Sequence, residues 1–133
     1  MVGEGAYTLS KGERIHGRKL IDRLFCGGGA SSMTVFPLRV VCLDMEREVV
    51  VPRVRILVSV SKRHFKHAVD RNRVKRQVRE SYRKHKHLLL ASLERKPTAA
   101  LLLAFIWLDD KLHDTPYVEQ RMVRLLQKLA ERS

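Results

Sequence analysis

Hydrophobic residues follow a helical period near each end of the chain. Between residues 17 and 25, apolar side chains recur three and four positions apart, which predicts a short helix with one buried stripe. Gly27 to Gly29 are expected to end this helix, because glycine is a poor helix former. Thr115 and Pro116 predict the start of a last helix, with a capping hydroxyl and a proline at its first position. Its predicted apolar stripe contains Val118, Met122, Leu125, Leu126 and Leu129.

Three segments between these helices resemble strands. Val35–Leu43 is rich in β-branched residues, and Phe36 is expected to open this strand. The segment 48–60 alternates between apolar and polar residues, except that Leu57 places an apolar side chain on the second face. Pro52 indicates an edge, a bulge or a break there. The continuous apolar run Ala99–Leu108 fits a strand buried on both faces, with a buried helix as the alternative.

A long helix is predicted from about Asp70 to about Leu90, with Asp70 as its N-cap. At 100° per residue, this helix separates its side chains into an apolar face and a basic face. The predicted buried face contains Val74, Val78, Ser81, Tyr82, His85, Leu88 and Leu89. The predicted basic face contains Asn72, Lys75, Arg76, Arg79, Arg83 and Lys86. Ordinary solvated faces mix charges of both signs, so a face that is almost entirely positive favours an anionic partner.

The charge of the whole chain points the same way. It has 133 residues, with 27 Lys and Arg against 14 Asp and Glu, for a formal net charge of +13. Such an excess attracts polyanions, with nucleic acid first, an anionic membrane second and an acidic protein third. The length fits a single domain over residues 1–133, in which residues 1–14 are expected to form a flexible arm. No apolar run can span a membrane and no signal peptide is recognised, so we expect a cytoplasmic protein with reduced thiols.

Other reactive side chains have simpler interpretations than catalysis or metal binding. Two close pairs of histidines lack a carboxylate or cysteine at ligand spacing, so we expect them to add positive charge at low pH. These pairs are His64 with His67 and His85 with His87. Asp109, Asp110 and Asp114 follow the last predicted strand, where adjacent carboxylates are more often a polar turn than a two-metal nuclease site.

The basic segment resembles a known signature. It begins with Ser-Val-Ser-Lys at positions 59–62, and continues at fixed spacing through Phe65-Lys66, Ala68-Val69-Asp70, Arg71-Asn72-Arg73, Lys75-Arg76, Arg79-Glu80 and Tyr82-Arg83. This order is similar to that of the bacterial ribonuclease P protein family. The resemblance covers nearly the whole chain, strongly in the middle and more loosely toward both ends.

The resemblance implies an α+β fold, a single-domain α/β sandwich with a sheet of about four strands and three helices. It also implies a left-handed βαβ crossover, as in the second domain of a small-subunit ribosomal protein. The implied role is that of an accessory subunit, which binds ribonuclease P RNA and the 5′ leader of precursor tRNA. In that family the RNA carries out hydrolysis with Mg²⁺, so no catalytic residue, protein metal site, small-molecule substrate or membrane partner is expected.

The family's RNA-binding residues carry over to Lys62, Arg63, Lys66, Arg71, Asn72, Arg73, Lys75, Arg76, Arg79 and Arg83. The resemblance also implies a separate cleft for the single-stranded leader, between the leading helix and the sheet. The positions of this sequence that correspond to it are Ile21, Phe25, Phe36, Arg39 and Ser59. At Ile21 and Arg39 the family often has an aromatic residue, so base stacking is expected to be weaker here, with Arg39 stacking through its guanidinium. The alternative functions are a structural RNA-binding protein, such as a ribosomal protein, and a basic membrane-surface protein.

Overall fold

The computed structural model of the protein describes residues 18–26, 28–46 and 53–132, and these ranges contain four helices and four strands. The helices are α1 (Arg18–Cys26), α2 (Ala68–His85), α3 (His87–Leu93) and α4 (Thr115–Arg132). The strands are β1 (Ser31–Val35), β2 (Leu38–Glu46), β3 (Val54–Ser59) and β4 (Ala99–Trp107). The fold is α+β, as predicted, and these ranges hold one helix more than the three expected.

The strands form one mixed sheet in the order β1-β2-β4-β3. Antiparallel pairing joins β1 to β2 and β2 to β4, whereas β3 runs parallel to β4. Parallel neighbours need a crossover connection, and α2 and α3 supply it here. As a result, the end of β3 leads through residues 60–67 directly into the basic helix α2.

The larger core cluster lies between the sheet and the helices α2, α3 and α4. At its centre Phe105 of β4 is aligned with Val40 of β2 and Val58 of β3, and all three are buried. Tyr82 of α2 packs on Phe105, with 5.8 Å between the ring centroids. The predicted apolar stripe of α4 is confirmed, since Val118, Met122, Leu125, Leu126 and Leu129 are all buried in this cluster.

The opposite face of the sheet carries α1 and a much smaller cluster. Leu24 of α1 is buried there with four residues of β2 and β4, which are Val41, Leu43, Leu102 and Ala104. Because β4 contributes to both clusters, the prediction of a strand buried on both faces is confirmed. Leu57 also packs against the smaller cluster, which explains why it breaks the alternation of β3.

Two predictions about the strands are wrong. The segment predicted as one strand from Val35 contains a hairpin turn at Phe36 and Pro37, which separates β1 from β2. Phe36 therefore lies in the turn rather than opening a strand. Strand β1 has no hydrophobic pattern because it pairs only with β2 and most of its side chains are exposed. The predicted break at Pro52 lies outside the described residues, and β3 begins at Val54.

The predicted helix boundaries also need correction. The long helix starts earlier, at Ala68, with His67 as its N-cap residue, so Asp70 lies in the first turn. There the positive end of the helix dipole stabilises the negative charge of the Asp70 carboxylate. The helix ends at His85, and α3 begins after Lys86. At α4 the cap is Asp114 rather than Thr115, because its Oδ1 accepts a hydrogen bond from the Tyr117 amide at 3.1 Å.

Candidate nucleic-acid interface

The outer face of α2 presents a line of polar and cationic side chains, Asn72, Arg76, Arg79 and Arg83, called here the ridge. These positions are separated by four, three and four residues, so they follow one side of the helix over about 16 Å. Asn72 and Arg76 are exposed, and Arg79 and Arg83 are partly exposed. The opposite side of α2 is buried in the core through Val74, Gln77, Val78, Ser81 and Tyr82.

One guanidinium of the ridge is shared with an acidic neighbour. Arg83 forms an ion pair with Glu80, in which its Nε donates to Oε2 at 3.0 Å. This hydrogen bond lowers the pKa of Glu80 and raises that of Arg83. A phosphate that binds Arg83 must therefore compete with a carboxylate for the same donors.

The segment 61–67 before α2, called here the connector, presents three more exposed cations. Lys62, Arg63 and Lys66 are exposed, while Phe65 is buried and anchors the segment to the core. The Ser61 carbonyl accepts hydrogen bonds from the amides of His64 and Phe65, at 3.1 and 3.3 Å. This turn holds the three cations near the start of α2.

Four other predicted side chains differ in where they lie. Arg71 contacts the connector, because its Nη1 donates to the carbonyls of Phe65 and Lys66 at 2.8 and 3.0 Å. Arg73 is exposed, with its Nη2 3.5 Å from the His113 carbonyl, and Lys75 is partly exposed. The prediction that Lys86 lies on the basic face is wrong, since only 2% of Lys86 is exposed. It lies in the turn between α2 and α3, where the period of α2 no longer applies.

Of the residues predicted for the leader, Ile21, Arg39 and Ser59 lie on the face of the sheet that carries α1, and Phe25 belongs to α1 itself. Arg39 and Ser59 are both aligned with Ile106 of β4, so they lie in one row across the sheet. Ile21 packs partly buried on the same face, and 46% of Phe25 is exposed. Phe36 is 55% exposed in the β1–β2 turn. This face therefore combines the exposed ring of Phe25 with a guanidinium and a hydroxyl, while the position of Phe36 in the turn does not assign it to this face.

Three histidines of the described ranges pair with carboxylates. His64 lies 2.5 Å from Asp110, His85 lies 2.7 Å from Glu119, and His113 lies 2.7 Å from Asp109. The hydrogen bond from His113 holds the pKa of Asp109 below its ordinary value. Within the described ranges, no group of three or more His, Cys, Asp or Glu side chains is placed to hold a metal ion.

Two residues that the sequence did not single out join the crossover to the rest of the fold. Arg53 donates to the carbonyls of Leu93, Lys96 and Ala99, at 2.6, 2.5 and 3.2 Å, and so ties the start of β3 to the end of the crossover. Gln77 is buried and donates to the His113 carbonyl at 2.9 Å, which joins α2 to the β4–α4 loop. The helical phase of Gln77, three residues after Val74, is the signal that places it on the buried side.

The fold and the basic helix define a class of protein. The molecule is a small α+β protein whose crossover helix presents a basic outer face, a surface suited to a polyanion such as RNA. No described helix has the length and apolar character that crossing a membrane requires.

Comparisons with known proteins identify the family. The sequence model of the Ribonuclease P family matches residues 9–130. The ribonuclease P protein component of Porphyromonas gingivalis strain W83 is 41% identical over 131 residues, which cover 98% of this chain and 92% of the relative. The corresponding protein of Chlorobaculum tepidum is 34% identical over 104 residues, covering 75% of this chain and 67% of the relative. The chain therefore belongs to the ribonuclease P protein family.

Solved structures agree on the fold. The ribonuclease P protein of Thermotoga maritima superposes with a TM-score of 0.61 at 21% identity, covering 86% of this chain and 97% of that one. A mutant of the Staphylococcus aureus protein superposes with a TM-score of 0.61 at 20% identity, covering 91% of this chain and 90% of that one. At these identities the likeness supports the architecture of sheet and helices.

Proposed function

We propose that this chain is the protein subunit of ribonuclease P. In this proposal it binds the catalytic RNA and the 5′ leader of precursor tRNA, and it assists endonucleolytic removal of the leader to give the mature 5′ end. The observation that carries the proposal is the continuous basic surface of the connector and the ridge. From residue 61 to residue 86 only Asp70 and Glu80 are acidic, and Glu80 is already paired with Arg83.

The ridge and the connector suit a phosphate backbone. Arg side chains can donate two parallel hydrogen bonds to one phosphate, and an ammonium group adds a mobile point charge. Each phosphate neutralised releases condensed counterions, so binding through this surface depends steeply on salt. Asn72 offers both a donor and an acceptor, which suits a ribose hydroxyl or a base edge.

The face that carries α1 suits unpaired nucleotides. Exposed rings such as Phe25 and Phe36 can stack on bases whatever their sequence, and Arg39 can stack through its planar guanidinium. Ser59 lies in the same row as Arg39 and supplies a hydroxyl for hydrogen bonding. These features support the placement of the single-stranded leader here, separate from the surface proposed for the catalytic RNA.

The hydrolytic chemistry belongs to the RNA in this proposal. Mg²⁺ would polarise the phosphate and activate water. In this proposal the RNA and the substrate phosphates would hold the ion. The protein's contribution is then to bind and orient the two RNAs.

Cleavage of a 5′-extended precursor tRNA tests the proposal directly. The reaction is run at low Mg²⁺ with a bacterial ribonuclease P RNA, with and without this protein. We expect protein-dependent cleavage at the mature 5′ end, and no cleavage by the protein alone. No stimulation by a folded protein that still binds RNA would favour a structural RNA-binding protein instead. A variant with Arg76 and Arg79 changed to Gln controls for stimulation by added protein in general.

A further inference from the structure

The first arginine of the Arg71-Asn72-Arg73 motif is only partly exposed, and its guanidinium contacts protein backbone. Its Nη1 donates to the Phe65 carbonyl at 2.8 Å and to the Lys66 carbonyl at 3.0 Å. Nη1 has two hydrogens, and these two bonds use both of them. A phosphate could reach this nitrogen only by displacing a carbonyl oxygen of the connector.

The position of Arg71 on α2 agrees with this orientation. On a helix, residues seven and eleven positions apart lie on nearly the same side. Arg71 is therefore in line with Val78 and Tyr82, which are both buried in the core. The ridge lies opposite the buried side of the helix. Arg71 and Arg76 therefore lie on different surfaces of α2, although they are close in the sequence.

The connector needs such a contact because it has no regular structure of its own. Between β3 and α2 its backbone is held by the turn at Ser61 and by the buried ring of Phe65. His64 adds a contact to Asp110 in the β4–α4 loop, at 2.5 Å. The Arg71 guanidinium fixes the carbonyls of Phe65 and Lys66, next to the exposed side chain of Lys66.

We propose that Arg71 is a positioning residue, whose guanidinium holds the connector so that Lys62, Arg63 and Lys66 are presented to RNA in one fixed arrangement beside the ridge. This proposal rests on the proposed function, because the ligand of those cations is ribonuclease P RNA. An ordered connector binds more tightly than a mobile one, since the chain entropy has been lost before the RNA arrives. Arg71 then contributes to affinity through other side chains rather than through a phosphate contact of its own.

The test compares Arg71→Gln with Arg76→Gln, which removes the same charge from the same helix. Each substitution is made in the natural sequence and in a neutralised-connector background with Lys62, Arg63 and Lys66 changed to Gln. The dissociation constant for ribonuclease P RNA is measured across a range of salt concentrations. Arg95→Gln, at an exposed site in the turn before β4, measures the effect of losing one charge anywhere on the protein.

We expect Arg71→Gln to weaken binding by roughly three- to tenfold in the natural sequence. In the neutralised-connector background it should add less than about twofold beyond Arg95→Gln, because the side chains it positions are gone. Arg76→Gln should weaken binding by the same factor in both backgrounds, as expected for an independent phosphate contact. An equal loss for Arg71→Gln in both backgrounds, or no loss in either, would overturn the proposal.

Hydrogen exchange separates failure of this inference from failure of the proposed function. In Arg71→Gln, the amides of Arg63, His64 and Phe65 should exchange faster, because their hydrogen bonds lie within the released connector. The amides of β4 should keep their protection, which also shows that the variant is folded. If ribonuclease P RNA is not the ligand, no variant changes its binding, yet the connector amides still exchange faster. If the amides are unaffected, Arg71 does not hold the connector.

Discussion

The two faces of the sheet differ in how they are covered, and the difference indicates which face contributes more to stability. Three helices bury one face, where Phe105 is completely buried. The other face carries α1 and a cluster of five buried residues, and 46% of Phe25 on α1 is exposed. Burial of apolar surface is the main source of folding free energy. The helix-covered face should therefore contribute more to stability than the α1 face.

Phe105→Ala should have the largest effect on stability. It removes a fully buried aromatic ring that packs on Tyr82, and such substitutions cost about 3–5 kcal/mol of unfolding free energy. Phe36→Ala is the matched change on an exposed ring and should cost less than about 1 kcal/mol. Urea denaturation followed by circular dichroism measures both. Equal costs would show that burial beneath the three helices does not determine stability.

The elements predicted correctly are those whose burial leaves a pattern in the sequence. The last helix and the strand at Ala99–Leu108 bury whole stripes or runs of apolar residues, so periodicity and run length identify them. Strand β1 was missed because its exposed side chains carry no such pattern. The turn at Phe36 and Pro37 was missed because the β-branched residues on either side of it predicted one continuous strand.

The candidate interface shows a similar limit. The ridge is predictable because helical phase alone separates Arg76, Arg79 and Arg83 from the core side of α2. The contact of Arg71 with the connector was missed because the motif placed Arg71 with the RNA contacts, although its helical phase matches that of Tyr82. Lys86 was misplaced because the phase of a helix cannot be extended beyond the residue where the helix ends. Contacts of Arg53 with carbonyls 40 to 46 residues away depend on the tertiary fold and leave no local signal.

The two sides of α2 extend the comparison from the sheet to the helix layer. Replacing Arg76, Arg79 and Arg83 together by Ala should leave the fold intact, because these side chains lie opposite the buried side and Ala favours helix. Removing the Arg83 pair with Glu80 should have little effect on stability, since solvent screens an exposed ion pair. Affinity for ribonuclease P RNA should fall, and the slope of log affinity against log salt should flatten by about one for each phosphate that is no longer bound. An unchanged salt dependence would show that the ridge is not the binding surface.

The exposed rings of Phe25 and Phe36 should affect binding of the leader and not binding of the catalytic RNA. Phe25→Ala or Phe36→Ala should weaken binding of a precursor tRNA with a single-stranded leader by about 1–3 kcal/mol for each base that no longer stacks. Affinity for mature tRNA, which has no leader, should not change. Val69→Ala is the control, since Val69 is 78% exposed but lies at the start of α2, away from the α1 face. Equal losses with mature tRNA would indicate that the rings do not contact the leader.

The smallest effect is expected in the β4–α4 loop, where a charge supports the helix-covered face from outside the core. Asp109 accepts a hydrogen bond from His113 at 2.7 Å, and the His113 carbonyl in turn accepts one from Gln77 of α2. The hydrogen bond from His113 holds the pKa of Asp109 below its ordinary value of 3.8. A lowered carboxylate pKa stabilises the fold above the ordinary pKa, and that contribution is lost as the pH falls through the folded value.

Asp109→Asn should therefore destabilise the protein by about 0.5–1 kcal/mol at pH 7, and the difference from the natural protein should shrink as the pH falls below about 4. Asp110→Asn is the matched control, because the Asp110 side chain is 76% exposed although it also pairs with a histidine. Its effect should be smaller, since solvent screens an exposed ion pair. Urea denaturation at a series of pH values from about 3 to about 7 measures all three proteins. If the difference in unfolding free energy between Asp109→Asn and the natural protein stays constant over this range, the charge of the carboxylate does not stabilise the loop. Hydrogen-bond geometry alone would then hold it.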